Sequence, residues 1–293
     1  FLEKTGKAIT EPAAGDLLPV DKWILSRLNT LVKDMTDNMD RYELGIAVQK
    51  VYDFLWEEFC DWYIEMVKPR LYSTDDEKGQ NAALWTLKTV LINALKLLHP
   101  YMPFITEEIF CNIQDEEESI MVSRWPEFKE EWSFEKEEKA VELIKTAVKG
   151  IRNIRSEMNV APSRKAEVYV VSEDKNVLDV FDEGRLFFAS LSYASEVKTQ
   201  ADKSGIADDA VSVVIPGATL YIPFAELVDI AAEKERLEKE KKRLEGELKR
   251  SESMLTNEKF LSKAPQAKID EEKAKQEKYR QMMEQVESRL KSL

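Results

Sequence analysis

The most regular apolar pattern in the chain lies between Tyr42 and Tyr72. Apolar residues recur at Leu44, Ala47 or Val48, Val51, Leu55, Phe59, Trp62 and Met66. Those steps of three and four are the period of one helix face. A second line runs beside it through Tyr52, Trp56, Cys60, Tyr63 and Val67. A helix with two apolar stripes needs partners on two sides, so the pattern predicts a helix in the middle of a bundle, its aromatics serving as packing. Pro69 is expected to end it, because proline cannot continue a helix. Upstream, Asp21 is placed to cap a helix over about 22–39, with Trp23, Ile24, Leu28, Leu31, Val32, Met35 and Met39 on its face. Downstream, Ser73 to Gly79 reads as a polar turn. Leu84, Leu87, Leu91, Leu95 and Leu98 then mark a third helix, and Phe104, Ile105, Ile109, Phe110 and Ile113 a short fourth one beyond Pro100 and Pro103. Ile120 to Trp125 is expected to be extended. Ser133 is placed to cap a helix over about 134–159, with the stripe Val141, Ile144, Val148, Ile151 and Met158.

After Pro162 the period changes from helical to alternating. Ala166 to Val171 is β-branched and alternates, the mark of a strand. Asn176 to Leu191 reads as helical, and Glu196 to Thr199, Ala210 to Ile215 and Ala218 to Ile222 as short strands, the last two around Pro216-Gly217. From Glu226 the composition is almost entirely Glu, Lys, Arg and Leu. One seam runs through Leu227, Ile230, Lys234, Leu237, Lys241, Leu244, Leu248, Ser251 and Leu255. A second runs through Ile269, Glu272, Gln276, Tyr279, Met283, Val286, Leu290 and Leu293. Both alternate steps of three and four, the signature of paired helices. About 28 residues of helix extend roughly 40 Å. The fold class read from these patterns is mainly α. A linker over 1–20 precedes a helical bundle over 21–160, a small α+β module over 161–225 and an antiparallel two-helix coiled-coil hairpin over 226–293.

Composition narrows the chemistry. A single histidine, His99, leaves little room for imidazole-based catalysis. Its place beside Pro100 predicts a structural role at a helix end. Two cysteines, Cys60 and Cys111, exclude a disulfide framework or a four-cysteine zinc site, and both fall on apolar stripes, where a thiol acts as a small hydrophobe. No apolar run reaches membrane-spanning length, and no signal peptide is visible. The chain does not begin with Met, which fits a fragment of something longer. No phosphate-binding glycine loop, helical histidine pair or nucleophile elbow occurs, so no catalytic residue and no cofactor or metal site is expected in this chain.

Net charge is −13, an awkward value for a nucleic-acid binder. It is unevenly spread. From Glu226 onward there are 17 basic and 16 acidic residues, so the rest of the chain carries all of the deficit and one charge more. Lys239, Lys241, Lys242 and Arg243, with Lys249 and Arg250, place cations on the first helix of the hairpin, and Lys259, Lys263 and Lys268 add three near its tip. In the bundle, Lys145, Lys149 and Arg152 form a stripe beside the apolar face. Arg155 falls on that face itself, and Lys68 and Arg70 flank Pro69. Such cations gain free energy at phosphates by releasing counterions. The plain alternative is a solubilised helical surface with interleaved Glu.

Three stretches resemble a known family. Leu97-Leu-His-Pro-Tyr-Met-Pro-Phe-Ile-Thr-Glu-Glu108 resembles the helix junction in the anticodon-binding domain of class I aminoacyl-tRNA synthetases for valine, leucine and isoleucine. Trp56-Glu-Glu-Phe-Cys-Asp-Trp-Tyr63 with Lys68-Pro69 is similar to that domain's central helix. The tail, with Asn257-Glu-Lys-Phe260 and Lys263-Ala-Pro265 at its turn, resembles the C-terminal arm of the valyl enzymes, whereas the isoleucyl enzymes often end in a Cys-rich zinc module that two cysteines cannot form.

The resemblance implies that the bundle holds the anticodon end of tRNA(Val) and the arm contacts the tRNA elbow. It implies a parent ligase that joins valine to tRNA using ATP and Mg. The parent's catalytic and editing domains, with their His-Ile-Gly-His and Lys-Met-Ser-Lys-Ser type signatures, are missing here, as is the first anticodon-domain helix that would lie just before Phe1. A cytoplasmic monomer is expected. Two other classes remain open: a coiled-coil protein-interaction module with no RNA role, and a cryptic enzyme.

Overall fold

The computed structural model describes residues 9–73, 75–114, 116–227, 230–257 and 265–292. Helix α1 (Pro19–Asp40) is followed by α2 (Leu44–Asp53), a π-helical stretch (Phe54–Ile64), α3 (Glu65–Tyr72), α4 (Glu77–Leu98) and α5 (Pro103–Ile113). Two single 3-10 turns, Ile120–Val122 and Glu130–Trp132, lead to α6 (Glu135–Glu157). The remaining elements are β1 (Ala166–Val171), α7 (Lys175–Glu183), α8 (Arg185–Ser192), β2 (Ala194–Gln200), β3 (Val211–Ile215), β4 (Ala218–Ile222), α9 (Phe224–Leu227), α10 (Ile230–Leu255) and α11 (Gln266–Ser292).

The hub of the bundle is α1. It packs against α2, the π stretch, α4 and α6, and Trp23, Ile24, Leu25, Leu28 and Met35 are fully buried there. The expectation of a doubly buried central helix over 42–72 is corrected in its first half: Tyr52 is 57% exposed, Trp56 60%, and Cys60 is exposed too. For Trp56 and Cys60 the π stretch is the reason; Tyr52 lies just before it, on the outer face of α2. Hydrogen bonds in the π stretch close at i to i+5. Buried Phe54 and Phe59 are accordingly five apart, while Leu55 is only half-buried. Cys111 is likewise exposed, so neither thiol is a core filler.

Asp21 does not cap α1. The helix begins at Pro19, and Asp21 Oδ2 reaches back to accept the Leu18 N–H at 2.9 Å. Pro69 does not end the helix either. The turn to Tyr72 survives the missing N–H because its loose end is held from outside: Gln80 Nε2 donates to Leu71 O at 2.8 Å and to Ser73 O at 3.3 Å. The turn before α4 is shorter than expected, since Asp76 caps the helix by accepting the Gly79 N–H at 2.8 Å. Ser133 is not the cap of α6. Ile120 to Val122 is a 3-10 turn and not extended. The helical span 176–191 is two helices that meet at Gly184. His99 ends α4, with Nδ1 2.7 Å from Thr106 Oγ1.

The sheet has strand order β2-β1-β4-β3. β1 and β2 are parallel and joined through α7 and α8, while β4 pairs antiparallel with both β1 and β3. Gly217, at φ +78°, follows Pro216 in the two-residue turn between β3 and β4, a combination that tolerates a type II turn. β2 and β3 run in the same direction at opposite edges. Residues 201–210 cross from one edge to the other on the Tyr221 side of the sheet. There Ile206 is buried and Lys203 Nζ lies 5.5 Å from the Tyr221 ring. The other face packs on α6: a Cβ on Gly150 would stand 2.5 Å from Val213 Cγ1. The core therefore runs without a break from the bundle through α6 into the sheet.

α10 and α11 make their extensive contacts with each other among the described residues. Leu237, Leu244, Ser251 and Ile269 are buried along the seam the sequence marked.

Candidate nucleic-acid interface

The six bundle cations divide by where their charge is spent. Arg70 turns inward. Its Nη1 donates to Asp21 Oδ1 and Oδ2 at 2.9 and 2.7 Å, and its Nη2 to Gly79 O at 2.8 Å. The Tyr63 hydroxyl also donates to Asp21, at 2.8 Å. Burial first, and the Asp21 charge second, hold that phenol protonated well above its ordinary range. Arg155 is buried as well and donates to Ala161 O and Arg164 O at 3.1 and 2.5 Å, fixing the segment that links α6 to β1. Desolvation pushes its guanidinium below the usual value. These two residues hold the fold together and present little charge to a ligand.

Lys145, Lys149 and Arg152 converge on one ring. Their cationic groups lie 5.6, 5.8 and 5.8 Å from the centre of Trp62, within cation–π range. Lys145 is buried and paired with Glu142 at 2.5 Å, and Arg152 Nε donates to Leu191 O at 2.9 Å. Beside them opens a cleft of about 340 Å³ whose walls also carry Arg27, Glu57, Glu58 and Glu138. Arg27 grips Glu58 through two 2.8 Å hydrogen bonds. Four acids, Glu57, Glu58, Glu138 and Glu142, outnumber the three bases that line it, Arg27, Lys145 and Lys149, so the cleft has no strong pull on a polyanion. Lys68 is exposed and pairs with Glu65 on its own helix.

The arm presents more accessible charge. Lys239 pairs with Glu235 at 2.6 Å, Arg243 with Glu240 at 2.6 Å, and Lys241 crosses to Glu287 of α11 at 2.7 Å. Lys242, Lys249 and Arg250 are exposed and have no acidic partner among the described residues. Lys259 and Lys263 lie outside the described residues.

Sequence reasoning missed the exposed aromatics. Tyr52 and Trp56 stack nearly parallel on the surface, with centroids 6.4 Å apart and an interplanar angle of 4°. Phe104, at the start of α5, is 90% exposed. Ring faces of this kind can stack on unpaired bases. A helical-period reading assigned Tyr52 and Trp56 to the core. The signal against it was the local charge, since Asp53, Glu57 and Asp61 adjoin this line.

Comparison with known proteins agrees with this geometry. The family model for the anticodon-binding domain of tRNA ligase matches residues 21–170, and that for the Valyl tRNA synthetase tRNA binding arm matches residues 229–293. The Valine--tRNA ligase of Clostridium tetani is 52% identical over 273 residues, 93% of this chain and 31% of that protein. The enzymes of the same name from Clostridium perfringens and Staphylococcus carnosus are 50% and 37% identical over equal shares. The chain thus spans about a third of the length of the curated relatives it matches. With a hub-and-spoke helical bundle over the first match and two paired helices over the second, the chain belongs to the anticodon-binding family of tRNA ligases, in the form that carries the valyl-tRNA synthetase arm.

Proposed function

We propose that this chain is the tRNA-holding part of a valine–tRNA ligase. The bundle receives the anticodon end of tRNA(Val), and the arm lies along the elbow. The observation that carries the reading is the joint presence of the bundle and the paired-helix arm, each under its own family match, on one continuous chain. The division of labour follows from the chemistry of each part. Surface aromatics on a rigid bundle suit unstacked anticodon bases. A long charged helical pair suits sequence-independent phosphate contacts, which position the RNA without reading it.

In this reading valine activation with ATP and Mg²⁺, and editing, belong to other domains of the same polypeptide. Among the described residues no group of three His, Cys, Asp or Glu side chains is placed to hold a metal ion, and no helix is long and apolar enough to cross a membrane. A cytoplasmic monomer fits the reading. Filter binding of tRNA(Val) at two salt concentrations tests it. Binding should weaken steeply with salt; affinity no better than for a neutral polymer, with no salt effect, would favour a protein-interaction module instead. ATP–pyrophosphate exchange with valine should be absent, and activity there would place catalysis inside this chain.

A further inference from the structure

The arm is nearly neutral as a whole, yet its charges are sorted between its two long edges. The pairing is antiparallel: Lys241 meets Glu287 at 2.7 Å, and Ser251 Oγ lies 3.4 Å from Glu272 O. With heptad letters, Lys241, Leu248 and Leu255 are a positions of α10 and Leu244 and Ser251 are d. Ile269, Gln276 and Met283 are a positions of α11, and Glu272, Tyr279 and Val286 are d. In an antiparallel pair the e rows of both helices flank one side of the seam, joined by b. The g rows flank the other, joined by c.

The ion pairs follow this assignment. Lys241 crosses the seam to Glu287, an e residue of α11, at 2.7 Å. On the other edge Arg243, a c residue of α10, pairs with Glu240 at g at 2.6 Å, and Lys275, a g residue of α11, pairs with Glu271 at c at 2.7 Å.

Counting residues whose side chains are described, the e/b edge carries Glu235, Glu238, Glu245 and Glu252 from α10. From α11 it carries Asp270, Glu277, Glu284 and Glu287. Against these eight acids stand four bases, Lys242, Lys249, Lys273 and Arg280. On the g/c edge five bases, Arg243, Arg250, Lys268, Lys275 and Lys278, face three acids, Glu240, Glu247 and Glu271. A phosphate backbone is repelled by the first edge and attracted by the second.

We propose that the arm engages RNA phosphates through the edge bearing Arg243, Arg250, Lys268, Lys275 and Lys278, and turns the edge bearing Lys242 and Lys249 away. This rests on the tRNA-binding reading above and adds to it the side of the arm that touches RNA. Lys242 and Lys249, exposed and without an acidic partner among the described residues, then belong to the wrong edge.

The test uses two triple variants of the full chain with equal charge change and no seam position. One is Arg250→Glu, Lys268→Glu and Lys278→Glu; the other is Lys242→Glu, Lys249→Glu and Lys273→Glu. All six side chains are exposed, and circular dichroism checks that helix content is kept. The readout is the slope of log affinity for tRNA(Val) against log salt. Each lost phosphate contact removes about 0.9 from that slope, so the first variant should flatten it by about 2–3 while the second leaves it near the parent value. Equal losses from both sets, or a loss confined to the second, overturn the proposal while the tRNA reading stands. A parent chain that shows no salt-dependent binding overturns both, and that measurement precedes any substitution.

Discussion

Replacing Asp21 with Ala should be the most destabilising single truncation of a polar side chain in the bundle. Asp21 is fully buried and accepts four hydrogen bonds: one from the Leu18 N–H, one from the Tyr63 hydroxyl and two from Arg70. Truncation leaves the Arg70 guanidinium, itself largely enclosed, with no counter-charge, and leaves the phenol and the first-turn amide without acceptors. Breaking a buried ion pair from one side costs about 3–5 kcal/mol, because the remaining charge stays desolvated. At about 2–4 °C per kcal/mol for a chain of this size, the melting temperature should fall by about 6–20 °C. Thermal and urea unfolding followed by far-ultraviolet circular dichroism measure it. A double-mutant cycle with Arg70→Met isolates the pair, and the coupling should reach about 2–3 kcal/mol, since the second substitution removes the stranded charge. A cost under about 1 kcal/mol for Asp21→Ala, or additive single effects, would refute the view that this pair ties α1 to α3 and the start of α4.

Tyr63→Phe should cost about 1.5–3 kcal/mol at neutral pH, the range for a hydrogen bond to a charged group. Because the folded phenol titrates well above its ordinary value of 10, the parent's stability is fully present below that pH and falls as pH rises beyond it. The gap between parent and Phe variant should therefore narrow above about pH 10, and a widening gap would contradict the assignment. Arg155→Met should destabilise by about 2–4 kcal/mol through two unpaired carbonyls, yet leave the salt slope of tRNA binding unchanged; a flatter slope would return Arg155 to the interface. Gly150→Ala should cost roughly 1–3 kcal/mol by driving a methyl into Val213, and Val213→Ala should recover much of it. Failure of that rescue in urea titrations would mean that α6 and β3 are not in contact at that point.

Period was the most legible feature of this chain. Helices α1, α4, α5 and α6 stand within a few residues of where their apolar spacing places them, and the switch from period 3.6 to period 2 near Ala166 marks the sheet. The arm's seam could also be read, because Leu237, Leu244 and Ser251 recur every seven residues and are buried. The ends of elements were harder to place. Their limits depend on side chains far away in sequence: Gln80 closes the helix that Pro69 was expected to break, and Asp21 serves Tyr63 and Arg70 more than it serves its own helix.

The candidate site shows the same division. The sequence singled out cations by type, and Lys145, Lys149 and Arg152 do share a stripe, which the structure brings onto the Trp62 ring. Whether a cation faces water or protein depends on the rotation of its helix against its neighbours, which no local spacing records. Arg70 and Arg155 turn inward for that reason, and Tyr52, at the end of α2, and Trp56, inside the eleven-residue π stretch that follows, face water where an unbroken α period would bury them. By itself the sequence determined the helical class, the order of bundle, sheet and arm, and the scarcity of catalytic side chains, because each follows from composition and period. The tertiary structure alone decided that α1 is the hub, that bundle and sheet share one core through α6, and which bundle cations face inward, because each of these depends on which faces meet once the chain is packed.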